Sequence, residues 1–240
     1  MIKTLLLFML ACTPPANAHL DLKLNTNLKP EYDDSYAAEL DPYAPRGLKV
    51  SYLSSVAIEV YSGEIPVGSG SGNYFRLGKH RFIITAAHVV NQVEEIVILE
   101  KGFSRTTAKV VYINPTTDLA VLVPTERLKY TKAIPFRRDI NNQMGEKIYH
   151  CAHPGREGWH ISDGLLTGTH NDTLMLNTFA WPGSSGGVVF DESGRVLGVL
   201  SAIRVDAPFG LPSLVEHLVL ATNIKMLDQE TLKASLRNGE

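Results

Sequence analysis

The segment Trp181-Pro182-Gly183-Ser184-Ser185-Gly186-Gly187-Val188-Val189-Phe190 sets a serine among glycines and runs straight into an apolar strand. A serine hydroxyl is a competent nucleophile only when a base removes its proton and no bulky neighbour blocks the approaching carbonyl. Glycines at 183, 186 and 187 leave that approach open. They also admit backbone angles that let the N–H groups of Gly183 and Ser185 converge, as an oxyanion hole requires. The same residues would serve as a plain Gly/Ser turn between strands, so the segment needs partners elsewhere in the chain. Its G-x-S-x-G spacing also fits a nucleophile elbow, which requires a following helix and a later histidine. Here a strand follows, and the only later histidine is His217.

Two upstream segments supply the partners. Thr85-Ala86-Ala87-His88-Val89-Val90 follows the apolar run Phe82-Ile83-Ile84, which brings an imidazole to a strand end. Imidazole titrates near neutrality and suits a general base. Thr117-Asp118-Leu119-Ala120-Val121-Leu122 sets one acid before four apolar residues. A partly buried carboxylate there needs a hydrogen-bond donor such as an imidazole N–H. Alone, His88 reads as an ordinary satisfied histidine and Asp118 as an acid closing the turn after Pro115. The order His, Asp, Ser, with 30 residues from His88 to Asp118 and 67 from Asp118 to Ser185, points to a nucleophilic triad.

These blocks lie in a chain of short apolar runs separated by turn residues: 56–60, 82–84, 96–99, 110–113 and 120–123, then 147–149, 173–176, 187–190 and 196–200. That rhythm predicts an all-β barrel or sandwich. Pro124 to Met144, with charges, prolines and Asn141-Asn142, divides the strands into two lobes, about 48–124 and 145–222. A C-terminal helix is expected from Ile224 to Leu236, capped by Asn223, with 229–240 as its end and tail.

With 240 residues, 44% hydrophobic, 20% charged and a formal charge of -2, the chain has the composition of a soluble globule. It carries no overall basic field to gather nucleic acid or anionic lipid. Residues 1–18 read as an export signal: Lys3, an apolar stretch from Thr4 to Ala11, and Ala16-Asn17-Ala18 before the cut. The apolar stretch falls short of the roughly 20 residues a spanning helix needs. Lipidation at Cys12 is the minority alternative, because Met9-Leu10-Ala11-Cys12 fits a lipoprotein box poorly. Cleavage after Ala18 leaves Cys151 as the sole cysteine and no internal disulfide. Residues 19–47 form a polar arm, and a peptidase domain is expected over 48–228, in a secreted or periplasmic protein.

On the blocks Thr85–His88, Thr117–Leu122 and Gly183–Gly187, the chain resembles trypsin-like serine peptidases. Gly68-Ser69-Gly70-Ser71-Gly72, Gly145 to Pro154 and Asp163-Gly164-Leu165-Leu166 make it most similar to the disulfide-free HtrA type. The resemblance implies two six-stranded antiparallel β-barrels with the catalytic residues His88, Asp118 and Ser185 between them and the Gly183 and Ser185 N–H groups as the oxyanion hole. It implies peptide or protein substrates and no metal or organic cofactor. It also places Phe179 at the base of the primary specificity pocket and Ser201, Ala202 and Ile203 in its wall. This predicts small or medium apolar residues before the cut rather than Arg or Lys. Position 184 is serine, so activation by an ion pair from a freed amino terminus to an aspartate there is not expected. A narrow-specificity processing protease and a catalytically silent binding protein are the alternatives. His150, Cys151, His153 and His160 could be zinc ligands by type, but strand alternation separates them, and a buried Cys151 thiol is favoured. Trp159 and Trp181 are candidate substrate contacts or core covers.

Overall fold

The computed structural model describes residues 40–101, 104–156, 158–206 and 213–239; the expected export signal with Cys12, and the arm as far as residue 39, lie outside them. Six strands, β1 (Ser55–Ser62), β2 (Ile65–Leu77), β3 (His80–Thr85), β4 (Glu95–Leu99), β5 (Arg105–Asn114) and β6 (Leu119–Pro124), close into one antiparallel barrel in the order β1-β4-β5-β6-β3-β2. A short strand, β7 (Ile134–Pro135), joins β2 in parallel. Another six, β8 (Lys147–Ala152), β9 (His160–His170), β10 (Thr173–Thr178), β11 (Val188–Asp191), β12 (Val196–Asp206) and β13 (Ser213–Asn223), close a second barrel in the order β10-β13-β12-β11-β8-β9. The expected pair of six-stranded barrels is present.

Strand alternation explains why the runs Phe82-Ile83-Ile84 and Leu119-Ala120-Val121-Leu122 are apolar without a break. Ile83, Ala120 and Leu122 point into the first barrel. Phe82, Ile84, Leu119 and Val121 point the other way, into a second cluster shared with Val188, Phe190, Val196 and Val199 of the other barrel. Side chains on a strand alternate between faces, so a strand buried on both faces must be apolar throughout. The site therefore stands on a core common to both lobes. The second barrel has its own interior of Ile148, Leu166, Leu174, Leu176, Val189, Leu197 and Leu200.

One helical expectation needs correction, and one helix is unexpected. Arg46–Ser54, at the junction of the expected arm and the peptidase domain, forms a helix, α1. Its buried residues are Gly47, Ser51 and Ser54, and Val50 packs partly buried against the shared core. The Ser51 and Ser54 hydroxyls donate back to the carbonyls of Leu48 and Val50. At the other end, Asn223 caps only a 3-10 turn, Ile224–Met226. The α-helix α3 spans Gln229–Asn238 and is capped by Asp228, whose side chain accepts from Thr231 N–H at 2.8 Å. Extended backbone at Leu227 and Asp228 breaks the expected single helix in two. Leu232 and Leu236 still bury against the shared core.

Asn73 of β2 ties the pieces together. Its amide donates to Ser51 O and to Ser54 Oγ, and its Oδ1 accepts from Val188 N–H at 3.0 Å. One buried side chain thus fixes α1, the first barrel and the start of β11, two residues beyond Gly186.

Candidate active site

His88 lies in a single helical turn, α2 (Ala87–Val90), immediately after β3. Asp118 precedes β6, and β3 and β6 pair directly through Thr85 and Ala120. Sequence separation is thus bridged by one rung of a sheet. Asp118 adopts φ 54°, in the left-handed region that aspartate tolerates better than most residues. This turn directs the carboxylate back under α2, where Oδ1 accepts from His88 N–H at 2.9 Å. His88 Nδ1 lies 2.8 Å from Oδ2 and 3.0 Å from Oδ1. A carboxylate can only accept, so the proton of the neutral ring sits on Nδ1 and the lone pair on Nε2. The Ala87 N–H donates to Asp118 O as well. From the second barrel, Ser201 Oγ donates to Asp118 Oδ2 at 2.5 Å. The resemblance implies that Ser201 lies in a pocket wall; its hydroxyl, in addition, completes the shell of the carboxylate.

Ser185 sits in the loop before β11 and is 1% exposed. The loop is pressed against the segment that bears His88. Ser71 N–H donates to Ser185 O at 2.7 Å. A Cβ at Gly186 would fall 2.1 Å from Thr85 Oγ1 and 2.2 Å from Ser71 O, and φ there is 86°. Only glycine fits that close approach. Three residues earlier, Gly183 has φ 99° and its O accepts from Ser71 Oγ at 2.8 Å. The same Ser71 hydroxyl accepts from His153 N–H at 2.8 Å.

Peptide planarity gives the loop its direction. Gly155 N–H donates to Pro182 O at 2.9 Å, and Gly187 N–H donates to Ser184 O at 3.0 Å. In a trans peptide the N–H points opposite to the C=O. Pinning the carbonyls of residues 182 and 184 therefore turns the N–H groups of Gly183 and Ser185 away from those donors. Ser184 Oγ, at the position without an aspartate, accepts from Trp181 N–H and braces the same turn.

The residues expected to form the specificity pocket are placed differently from one another. Ala202 and Ile203 are buried, whereas Phe179 is 51% exposed and Trp181 is 49% exposed, flanking the loop. Trp159 packs edge-on against the His153 ring at 5.0 Å between centroids. His150 is buried, with Nε2 3.1 Å from Thr178 Oγ1; burial lowers its pKa to about 4. Cys151 is a free, buried thiol, and burial raises its pKa to about 11. Among the described residues, the one group with metal-compatible spacing is Asp139, Glu146 and Asp191, where Arg195 pairs with both aspartates.

The role of Ser71 is not legible in the sequence, although its Gly68-Ser69-Gly70-Ser71-Gly72 block is part of the family resemblance. Its glycine neighbours signalled close packing but not which group the hydroxyl would reach. The backbone donors of His153 and Gly155 left no residue-type signal at all.

A model of the trypsin-like peptidase domain matches residues 70–199. A probable periplasmic serine endoprotease, DegP-like, of Brucella suis is 27% identical over 193 residues, covering 73% of this chain and 35% of that protein. The chloroplastic Protease Do-like 1 of Arabidopsis thaliana is 26% identical over 152 residues, covering 58% and 34%. The chain thus spans about a third of the length of these relatives. Among solved structures, the serine endoprotease from Yersinia pestis superposes with a TM-score of 0.64 at 21% identity, covering 81% of this chain and 66% of that one. The HtrA-type protease AlgW with a tripeptide gives 0.65 at 21%, covering 81% and 64%. None of the described helices is long and apolar enough to cross a membrane.

Proposed function

The chain belongs to the trypsin-like peptidase domain family, and on that premise we propose that it is a serine endopeptidase with Ser185 as nucleophile, His88 as general base and Asp118 as the group that orients the base. The observation that carries the proposal is the grip of the Asp118 carboxylate on both the N–H and the Nδ1 of His88. It fixes the tautomer that leaves Nε2 able to accept a proton.

Ser185 Oγ attacks the carbonyl carbon of a peptide bond while its proton passes to His88 Nε2. The Gly183 and Ser185 N–H groups receive the resulting oxyanion. The imidazolium, stabilised by Asp118, returns the proton to the leaving amine as the C–N bond breaks. Water then repeats the sequence on the Ser185 ester, giving the carboxylic acid and the free hydroxyl. No step calls on a metal or an organic cofactor.

Extended or unfolded polypeptide is the substrate class, in keeping with the tripeptide-bound relative. Phe179 and Ile203 favour small or medium apolar residues before the cut over Arg or Lys. Relatives named as periplasmic, together with the signal-like residues 1–18, support export. The test is release of peptides from unfolded casein between pH 6 and 9. Cleavage by the wild type and none by Ser185→Ala is expected; no cleavage by either overturns the proposal.

A further inference from the structure

On the first barrel, away from the Ser185 loop, a concave site of about 380 Å³ is lined by Arg76, Arg81, Arg127, Lys129, Lys132 and Thr131, with Tyr74 at its wall. None of the five cationic side chains forms an ion pair or a side-chain hydrogen bond with a described residue. Like charges gathered in one concavity repel, and the arrangement favours a counter-charge. A second feature is independent of charge. Thr131 is 5% exposed, lines the same cavity, and its Oγ1 is buried without a hydrogen-bond partner among the described residues. A buried hydroxyl left unsatisfied is costly, and a bound acceptor would satisfy it.

The walls are fixed beforehand. The buried carboxylate of Glu100 accepts from the N–H groups of Lys129, Tyr130 and Thr131 at 2.8 to 3.0 Å. This holds the loop and occupies the acid that could otherwise neutralise the lysines. Lys132 N–H donates to Leu53 O, and Phe136 N–H donates to Arg76 O, so the loop is tied at both ends. Burial raises the Tyr74 phenol above its ordinary value, and the positive charges of Arg81 and Arg127, which line the same hollow, oppose that shift.

We propose that this concavity binds a phosphoryl group, with Arg81 and Arg127 as its charged clamp and the Thr131 hydroxyl as a neutral donor. Three guanidinium forks and two ammonium groups around one hollow suit a compact, multiply charged oxyanion that accepts several hydrogen bonds at once. The phosphoryl group could reach the site as free phosphate or on a lipid headgroup; both present the same oxygens.

The experiment is calorimetric titration of the purified full chain with inorganic phosphate at constant ionic strength. Beside it runs co-sedimentation with phosphatidylcholine vesicles with and without phosphatidic acid. Saturable binding is expected, weakened at least about tenfold in R81Q/R127Q and several-fold in Thr131→Val. K109Q/K147Q removes the same charge elsewhere and should leave it intact. Binding of phosphate alone identifies the free ion; sedimentation that requires phosphatidic acid identifies the headgroup. No saturable binding in either arm overturns the proposal, as does equal weakening in K109Q/K147Q. Capture of a poly-glutamate peptide that phosphate does not displace would also overturn it. Circular dichroism melts of each variant separate lost binding from lost folding, and the conservative Arg81→Lys should recover part of the affinity.

Discussion

The two barrels hold their shares of the site by different means. The first keeps His88 and Asp118 together by itself: the hydrogen bonds between them and the β3–β6 pairing all lie within one lobe. The second carries Ser185 but does not shape its loop alone. Ser71 of the first barrel holds Ser185 O and Gly183 O, and Asn73 holds Val188 N–H. In return Ser201 of the second barrel reaches Asp118. The pairing of His88 with Asp118, the proposed base and orienting acid, is set mainly within one lobe; the loop of Ser185, the proposed nucleophile, is set by the contact between two.

This contrast can be broken in graded steps. Ser185→Ala should give the largest effect, lowering kcat by about 10⁴–10⁶-fold with little change in Tm, because the variant keeps the backbone ties of the loop, Ser71 N–H to Ser185 O among them. Asp118→Asn attacks the first barrel's share and should cost about 10⁴-fold, since an amide no longer dictates the Nδ1–H tautomer. Ser71→Ala attacks the contact between lobes. It removes the brace on Gly183 O without removing an oxyanion donor, so a loss of about 10–10²-fold in kcat with KM nearly unchanged is expected. Ser71→Thr should restore part of the rate. Steady-state kinetics on a peptide substrate read all three, and equal losses in kcat and 1/KM for Ser71→Ala would mean that the loop is held some other way.

The smallest effect concerns stability. Burial lowers the His150 pKa from 6.5 to about 4. Above pH 6.5 the residue is neutral in both folded and unfolded chains and costs nothing. As pH falls from 6.5 towards 4, the unfolded chain takes up a proton that the folded one refuses, so stability drops by roughly 3 kcal/mol. Urea unfolding at several pH values should show this slope, and His150→Gln should flatten it. An unchanged slope in the variant would assign the acid sensitivity to other groups.

How much of this could be read beforehand follows the same division. The His88 and Asp118 blocks are legible because each residue adjoins an apolar strand whose burial on both faces leaves a distinctive pattern. The serine loop is legible through Gly183, Gly186 and Gly187, which close backbone approach demands. The supports are not. Ser71, Ser201 and Asn73 are small polar residues whose significance depends on partners 82 to 115 positions away. Helix α1 leaves little mark in the sequence because the residues it buries fully, Gly47, Ser51 and Ser54, carry no hydropathy signal. The C-terminal helix was visible through Leu232 and Leu236, but its start was misplaced because Asn223 and Asp228 both cap turns.

The central claim is that His88 activates Ser185 and no other serine. A fluorophosphonate probe reacts with a serine only when a base takes its proton. Incubation of the folded protein with such a probe, followed by peptide mapping, should find the adduct on Ser185 alone, with labelling abolished in His88→Ala and in thermally unfolded protein. An adduct on another serine, or labelling of Ser185 that persists in His88→Ala, would contradict the account.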